Sequence, residues 1–142
     1  YFSKKYPRNA ESADHSAFYA NAIAIKEGHY GPESFDPCKF TDPVVLDLIE
    51  KITVEPDPTI PERGRAGEST ITTVDGRVFQ KRIDVPHGGD DPLTDQELEE
   101  KFTKLAAPYM GAAQIRSIID SVWSIDQMDD VGALTALMAF GR

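Results

Sequence analysis

The sequence has very little of several residue types, and each shortage argues against a class of protein. It contains one cysteine in 142 residues, so Cys38 has no internal disulfide partner and nothing requires an oxidising compartment. We expect Cys38 to be a small, buried or half-buried loop residue. No apolar run approaches the ~18 residues that a membrane helix needs, and no signal peptide opens the chain. We therefore expect no membrane partner and a cytoplasmic location, or the mitochondrial matrix if the source is eukaryotic.

Positive charge is also scarce. Fifteen Lys and Arg against 24 Asp and Glu give a net charge of −9, which argues against a nucleic-acid partner, because such proteins normally present a basic face. A small anionic substrate is still compatible, since a site is built from local charges. The length suits one domain with a sizeable core. The opening YFSKKYPRNAESA has no initiator methionine and reads like internal sequence, so we expect a fragment.

Two helices are predicted in the first third of the chain. ADHSAFYANAIAIKEG (13–28) indicates a helix capped by Asp14 or Ser12 and ended by Gly28. Its apolar face would comprise Phe18, Ala22, Ile23 and Ile25. After the turn-rich GHYGPESFDPCKF, the segment TDPVVLDLIEKI predicts a short helix with Asp42 as N-cap and Pro43 at its first position.

A small sheet is predicted in the middle of the chain. ITV (52–54) indicates a strand fragment, and STITTVDGRVFQKRID predicts a hairpin, because Asp75 and Gly76 form a pair that tolerates the positive φ angles of a tight turn. Phe79, Ile83 and Val85 alternate with polar residues, as one buried face of a sheet requires. We therefore expect three strands.

The last third is predicted to be helical. Thr94 and Glu97 have the spacing of a capping box, and the helix that they open would turn Leu98, Phe102 and Leu105 inward. A helix over residues 112–125 would bury Ile115, Ile118, Ile119, Val122 and Trp123, and a last short helix would start at Asp129 or Asp130. The predicted fold class is α+β, with helices packed on a small antiparallel sheet that contains a β-hairpin.

Most familiar catalytic patterns find little support. His15, His29 and His87 lie far apart without paired-ligand spacing, so we expect no metal site. His15 and Ser16 are adjacent on a helix and point in different directions, which gives a small hydrolase little support. Arg63 and Arg65 have the charge to meet an anion, but such residues more often hold a loop or a partner surface.

Asp14, His15, Ser16 and Tyr19 form the candidate site. On one helix, His15 and Tyr19 are four residues apart and share a face, and Ser16 and Tyr19 are neighbours three apart. A helix N-terminus suits a carboxylate ligand, and a His beside a Tyr can move a proton and polarise an oxygen. The alternative is that Asp14 and Ser16 are capping residues and Tyr19 is a half-buried aromatic.

Three segments, in order, resemble the carboxy-terminal region of the MmgE/PrpD family over residues 13–125. They are ADHSAFYANAIAIKEGHYGPESF, DPVVLDLIEKITVEPDP and DGRVFQKRIDVPHGGDDPLTDQELEEKF. The most specific pieces are the HSxxY helix and the P-x-T-D-x-E-L-x-x-K-F segment. The family includes 2-methylcitrate dehydratase, cis-aconitate decarboxylase and iminodisuccinate epimerase.

The resemblance implies that residues 1–142 are the smaller α+β domain of a two-domain enzyme whose large helical domain is absent. It implies a cofactor-independent lyase or isomerase, a homodimer in the family manner, that acts on a small di- or tricarboxylic acid in a cleft between the domains. Tyr19 and His15 would be catalytic and Ser16 would bind substrate, with the Tyr19 hydroxyl pointing into a groove that the missing domain closes. The fragment alone would be inactive. The alternative is a non-catalytic interaction or dimerisation module that shares the fold.

Overall fold

The computed structural model describes residues 5–60 and 66–139. They belong to two compact units, Tyr1–Thr59 and Ile60–Arg142, called here the N-terminal and C-terminal units. Each unit has a hydrophobic cluster of its own. Arg63 and Arg65, considered as anion contacts, lie outside the described residues.

The N-terminal unit is helical. It contains α1 (Ala10–Asp14), α2 (Ala17–Glu27), two 3₁₀ turns (Pro32–Phe35 and Pro37–Thr41) and α3 (Pro43–Lys51). Asp42 caps α3 as predicted, because its Oδ1 accepts the N–H groups of Val44 at 2.9 Å and Val45 at 3.2 Å.

The predicted first helix is in fact two helices, with a break at His15 and Ser16. Asn9 caps α1 by accepting the N–H of Ser12, and Ser12 bonds back to the backbone of Asn9. Ser16 has extended backbone angles and caps α2. The prediction that Asp14 or Ser12 is the N-cap is therefore wrong, since both lie inside α1. The end of α2 at Gly28, whose φ is +76°, is as predicted.

One cluster of side chains forms the core of the N-terminal unit. Its buried members are Ala13, Phe18, Tyr19, Ala22, Ile23, Phe40, Val45 and Ile49. The predicted strand at 52–54 is wrong, because these residues have no strand partner among the described residues. Ile52 and Val54 instead pack against the core. Cys38 is exposed rather than buried or half-buried, and its N–H donates to Asp36 Oδ1 at 3.0 Å.

The C-terminal unit opens with the predicted hairpin, so the α+β class is confirmed. Strands β1 (Gly67–Thr72) and β2 (Val78–Ile83) are antiparallel, with Ile71 opposite Phe79, and Gly76 takes a φ of +83° in the turn. The sheet of the described residues has two strands, not three.

The apolar side chains of the hairpin are exposed, which contradicts the predicted buried face. Phe79 is 53% exposed, and Ile83 and Val85 are exposed to a similar degree. The register places Ile71, Phe79 and Ile83 on one side of the sheet, so the predicted alternation is correct. These side chains are exposed because a two-stranded sheet has no second layer of its own to pack on its apolar side.

Three helices follow the hairpin: α4 (Asp95–Ala106), α5 (Ala112–Trp123) and α6 (Gly132–Leu137). The capping box of α4 is present as predicted, with Thr94 Oγ1 accepting from the Glu97 N–H and Glu97 Oε2 accepting from the Thr94 N–H. α6 begins slightly later than predicted, with Asp130 Oδ1 accepting the N–H of Gly132 at 2.7 Å.

The core of this helical segment is smaller than predicted. Ala106, Ile115 and Ile119 form its buried cluster, with Phe102 and Met110 packed against it, and Ile118 is also buried. The prediction is wrong for the exposed residues Leu98, Leu105, Val122 and Trp123. The indole of Trp123 lies at the surface, where it donates to Glu99 Oε1 at 2.7 Å. None of the helices in the described ranges has the length and apolar character that crossing a bilayer requires.

Candidate functional site at the junction of α1 and α2

The break between α1 and α2, called here the junction, separates the predicted site residues. Asp14 ends α1 and His15 follows as its C-cap, whereas Tyr19 lies in the first turns of α2. The predicted i, i+4 relation of His15 and Tyr19 on one helix face is therefore wrong. The His15 side chain is exposed, and its Nε2 lies 3.5 Å from Glu11 Oε1.

Ser16 has a structural role as the N-cap of α2. It is buried, and its Oγ accepts the N–H of Tyr19 at 3.2 Å, while its carbonyl accepts the N–H of Ala20 at 2.9 Å. These bonds satisfy N–H groups that a helix start otherwise leaves without a partner. The capping alternative is thus correct for Ser16 but not for Asp14.

Tyr19 is completely buried in the core of the N-terminal unit, at 0% exposure. Its hydroxyl donates to the main-chain oxygen of Ser34 at 2.5 Å, and its ring meets Phe40 edge-on with centroids 5.5 Å apart. The expectation that this hydroxyl points into a groove is wrong, because the apolar face of α2 carries the ring inward and a buried carbonyl needs a donor. Burial raises the pKa of the phenol to about 12, so the group stays protonated.

Tyr30 is a phenol that sequence reasoning missed. It is 38% exposed, and its hydroxyl lies 3.5 Å from the carbonyl of Ala13, next to the junction. Burial first, and then the Asp14 carboxylate, raise its pKa. Gly28, in the left-handed conformation, ends α2 and turns the chain. This glycine and the Gly31–Pro32 turn were the sequence signals that could have pointed to Tyr30, which lies between them.

The junction has proton-handling groups, and the described lysines of the N-terminal unit are all paired. In the N-terminal unit, each described lysine is ion-paired with a carboxylate: Lys5 with Glu50, Lys26 with Asp42, Lys39 with Glu27 and Lys51 with Asp47. The distances run from 2.5 to 3.0 Å. Arg8, which is exposed just before α1, is a further described cation of this unit.

The C-terminal unit has a shallow groove between α4 and α5 with a volume of about 670 Å³. Met110, Ile115 and Ile119 contribute apolar surface to it, and Lys104 and Arg116 contribute charge. Arg116 is paired with Glu99 at 3.0 Å and with Asp120 at 2.5 Å. Within the described ranges, no group of three or more His, Cys, Asp or Glu side chains is arranged to hold a metal ion.

Comparison with known protein families identifies the family of this chain. Residues 1–125 match the model of the MmgE/PrpD C-terminal domain. The chain belongs to the MmgE/PrpD family. The predicted resemblance is thereby confirmed, and the match extends closer to the start of the chain than the segments over 13–125 indicated.

The similar curated proteins are cis-aconitate decarboxylases and a protein named after them. The human cis-aconitate decarboxylase is 28% identical over 141 residues, and the mouse protein is 27% identical over 141 residues. Both alignments include 97% of this chain and 29% of the relative. The cis-aconitate decarboxylase-like protein oryM of Aspergillus oryzae is 28% identical over 135 residues, covering 94% of this chain and 28% of its own. The chain thus spans less than a third of the length of these relatives.

Proposed function

We propose that this chain is the substrate-cleft domain of a cofactor-independent lyase or isomerase that acts on a small di- or tricarboxylic acid. The observation that carries the proposal is the match to the C-terminal domain of the MmgE/PrpD family, together with relatives named as cis-aconitate decarboxylases. In this proposal the rest of the cleft belongs to a helical domain of the same protein, and the chain alone has no turnover.

The charge distribution of the N-terminal unit supports a shared cleft. A site for a di- or tricarboxylate needs several cations, and the described lysines of this unit are already ion-paired, which leaves Arg8. The junction supplies exposed proton-handling groups instead, namely His15 and the half-exposed Tyr30. One domain then offers groups that can move a proton at the carbon next to a carboxylate, and the other holds the carboxylates.

The proposed roles follow the exposure of each group. His15 is the proposed catalytic residue, because its imidazole is exposed at the junction and an imidazole can accept or donate a proton. Tyr19 is a positioning residue, since its hydroxyl donates to Ser34 and fixes the 3₁₀ turn against α2. Ser16 positions the start of α2 rather than binding substrate.

The decisive experiment compares the chain alone with the chain produced together with the helical domain. Each preparation is assayed on cis-aconitate, 2-methylcitrate and iminodisuccinate. We expect no turnover by the chain alone and turnover of at least one substrate by the pair. Turnover by the chain alone, or a stable pair that is inactive on all three, contradicts the proposal.

The proposed residue roles are tested in the active pair. His15→Gln should lower kcat by about 10²- to 10⁴-fold, the usual contribution of a general acid or base, and remove one limb of the pH profile. Tyr19→Phe should leave the shape of that profile unchanged and lower the stability instead. A Tyr19→Phe variant that is fully stable but has lost its kcat would return the catalytic role to Tyr19.

The second candidate is a non-catalytic interaction or dimerisation module, and the exposed hairpin favours it. Ile71, Phe79 and Ile83 present apolar side chains on one side of the sheet. This candidate predicts a stable complex of the chain with itself or another protein and no activity after addition of the helical domain. Sedimentation of the chain alone, followed by the assay of the pair, distinguishes the two candidates.

A further inference from the structure

The loop of residues 86–92, called here the clasp loop, joins the hairpin to α4 and is closed by several bonds. The N–H of Gly88 donates to the carbonyl of Asp91 at 2.7 Å, and the N–H of Gly89 donates to the carbonyl of Pro86 at 3.3 Å. His87 and Asp91 also form an isolated bridge. Gly88 has a φ of +88°, which favours glycine in this tight loop.

The side chain of His87 connects the clasp loop to α4. Its Nδ1 lies 2.7 Å from Asp91 Oδ2, and its Nε2 lies 3.0 Å from Glu97 Oε1. The charged groups that face the ring are thus Asp91 from the loop and Glu97 from α4. Ionised carboxylates only accept hydrogen bonds, and a neutral imidazole has one N–H, so both bonds exist together only in the imidazolium form.

Glu97 belongs to two sets of bonds at once. Its Oε2 accepts the N–H of Thr94 at 2.8 Å and the hydroxyl of Thr94 at 2.7 Å, which closes the capping box of α4. Its Oε1 remains for His87. The helix cap therefore holds the carboxylate in place whether or not His87 is charged, so it forms a fixed anchor for the ring.

From this arrangement we propose that protonated His87 is a clasp that fixes the loop of residues 86–92 to the start of α4, and that loss of the proton loosens the loop. On deprotonation, one of the two nitrogens becomes an acceptor and faces a carboxylate oxygen. That contact turns from attractive to repulsive, and the clasp loop is then held by its backbone bonds and one side-chain bond.

The direction of the pH dependence follows from the two partners. The hydrogen bond to Asp91, followed by that to Glu97, raises the pKa of His87 above its ordinary value. The contribution of His87 to stability is therefore fully present below the ordinary pKa of histidine and is lost as the pH rises through the raised one. The bonds to Thr94 and then to His87 lower the pKa of Glu97 to about 2, so its contribution is lost only as the pH falls toward that value.

The test follows the protonation of His87 by NMR in the 142-residue chain, using the ring ¹⁵N signals. We expect both nitrogens to be protonated at mildly acidic pH and the protection of the Gly88 amide from exchange to fall as His87 loses its proton. Asp91→Asn and Glu97→Gln should each shift the His87 midpoint to lower pH. Gln at position 97 still fits a capping box, so Glu97→Gln removes the charge without removing the cap.

Glu100→Gln is the matched control, because Glu100 lies on the same helix and its Oε1 accepts from Gln96. This variant should leave the His87 midpoint nearly unchanged. His87→Gln should remove the pH dependence of Gly88 protection that accompanies the titration. Equal midpoints in all three carboxylate variants, or Gly88 protection that does not follow the protonation of His87, would overturn the proposal.

Discussion

The N-terminal and C-terminal units contain similar local signals but differ in what they bury. In the N-terminal unit, the apolar faces of α2 and α3 join one cluster that includes the Tyr19 and Phe40 rings. In the C-terminal unit, both strands of the hairpin are exposed along their whole length, and the helical cluster is small. Side-chain N-caps start α1, α2 and α3 in the N-terminal unit and α4 in the C-terminal unit.

This difference shows that a correct pattern does not guarantee a buried face. Alternation placed Phe79, Ile83 and Val85 on one side of the hairpin, but a side chain is buried only if another layer covers it. The N-terminal unit supplies that layer from its own helices. In the C-terminal unit, much apolar surface of the hairpin, α4 and α5 stays in contact with solvent.

The largest expected effect comes from making the same substitution in both units. Phe40 is 8% exposed and packs on Tyr19, so Phe40→Ala should lower the free energy of unfolding by about 3–5 kcal/mol. Phe79→Ala should cost about 1 kcal/mol or less, because Phe79 is 53% exposed beside its cross-strand neighbour Ile71, with the guanidinium of Arg77 5.8 Å from its ring centroid. Urea denaturation followed by circular dichroism measures both. Equal losses would mean that the hairpin face is covered.

A smaller effect is expected from removing one hydroxyl. Tyr19→Phe leaves the buried carbonyl of Ser34 without its donor and should cost about 1–3 kcal/mol. Tyr30→Phe is the matched control within the same unit. Because Tyr30 is half-exposed and its contact is 3.5 Å long, we expect a change within about 0.5 kcal/mol. A Tyr19→Phe variant as stable as the control would show that the hydroxyl is not held by Ser34.

The smallest effect should be shared by both units, since it depends on local geometry alone. Ser16→Ala in α2 and Thr94→Ala in α4 each remove a side chain that accepts from the third N–H of its helix, at 3.2 and 3.3 Å. Each should cost about 1 kcal/mol. Thermal or urea unfolding of the two variants tests whether the units are alike at this level. A cost of more than 3 kcal/mol for one of them would point to a role beyond capping.

The local features were predictable because they depend on neighbours in the sequence. The Asp42 cap, the Thr94 and Glu97 capping box, the Gly28 stop and the Asp75–Gly76 turn all occur as the sequence indicates. The family was also recognisable, because the HSxxY and P-x-T-D-x-E-L-x-x-K-F segments are distinctive, and the family match covers residues 1–125.

The candidate site was less predictable. The spacing of His15 and Tyr19 indicated one helix face, but it did not reveal that Asn9 starts an earlier helix and that Ser16 starts the next. The pairing of the lysines, the exposure of Tyr30 and the position of His87 between two carboxylates depend on contacts beyond the local helix turn.

The sequence by itself determined where helices and turns begin and end, which family the chain resembles and which side of the hairpin is apolar. All of these follow from residues a few positions apart, through backbone φ angles and caps. Only the tertiary structure decided which of those faces is buried and where the Tyr19 hydroxyl goes. Burial and the choice of a hydrogen-bond partner such as Ser34 depend on segments that meet in space, because an apolar face or a buried donor is satisfied by whatever packs against it.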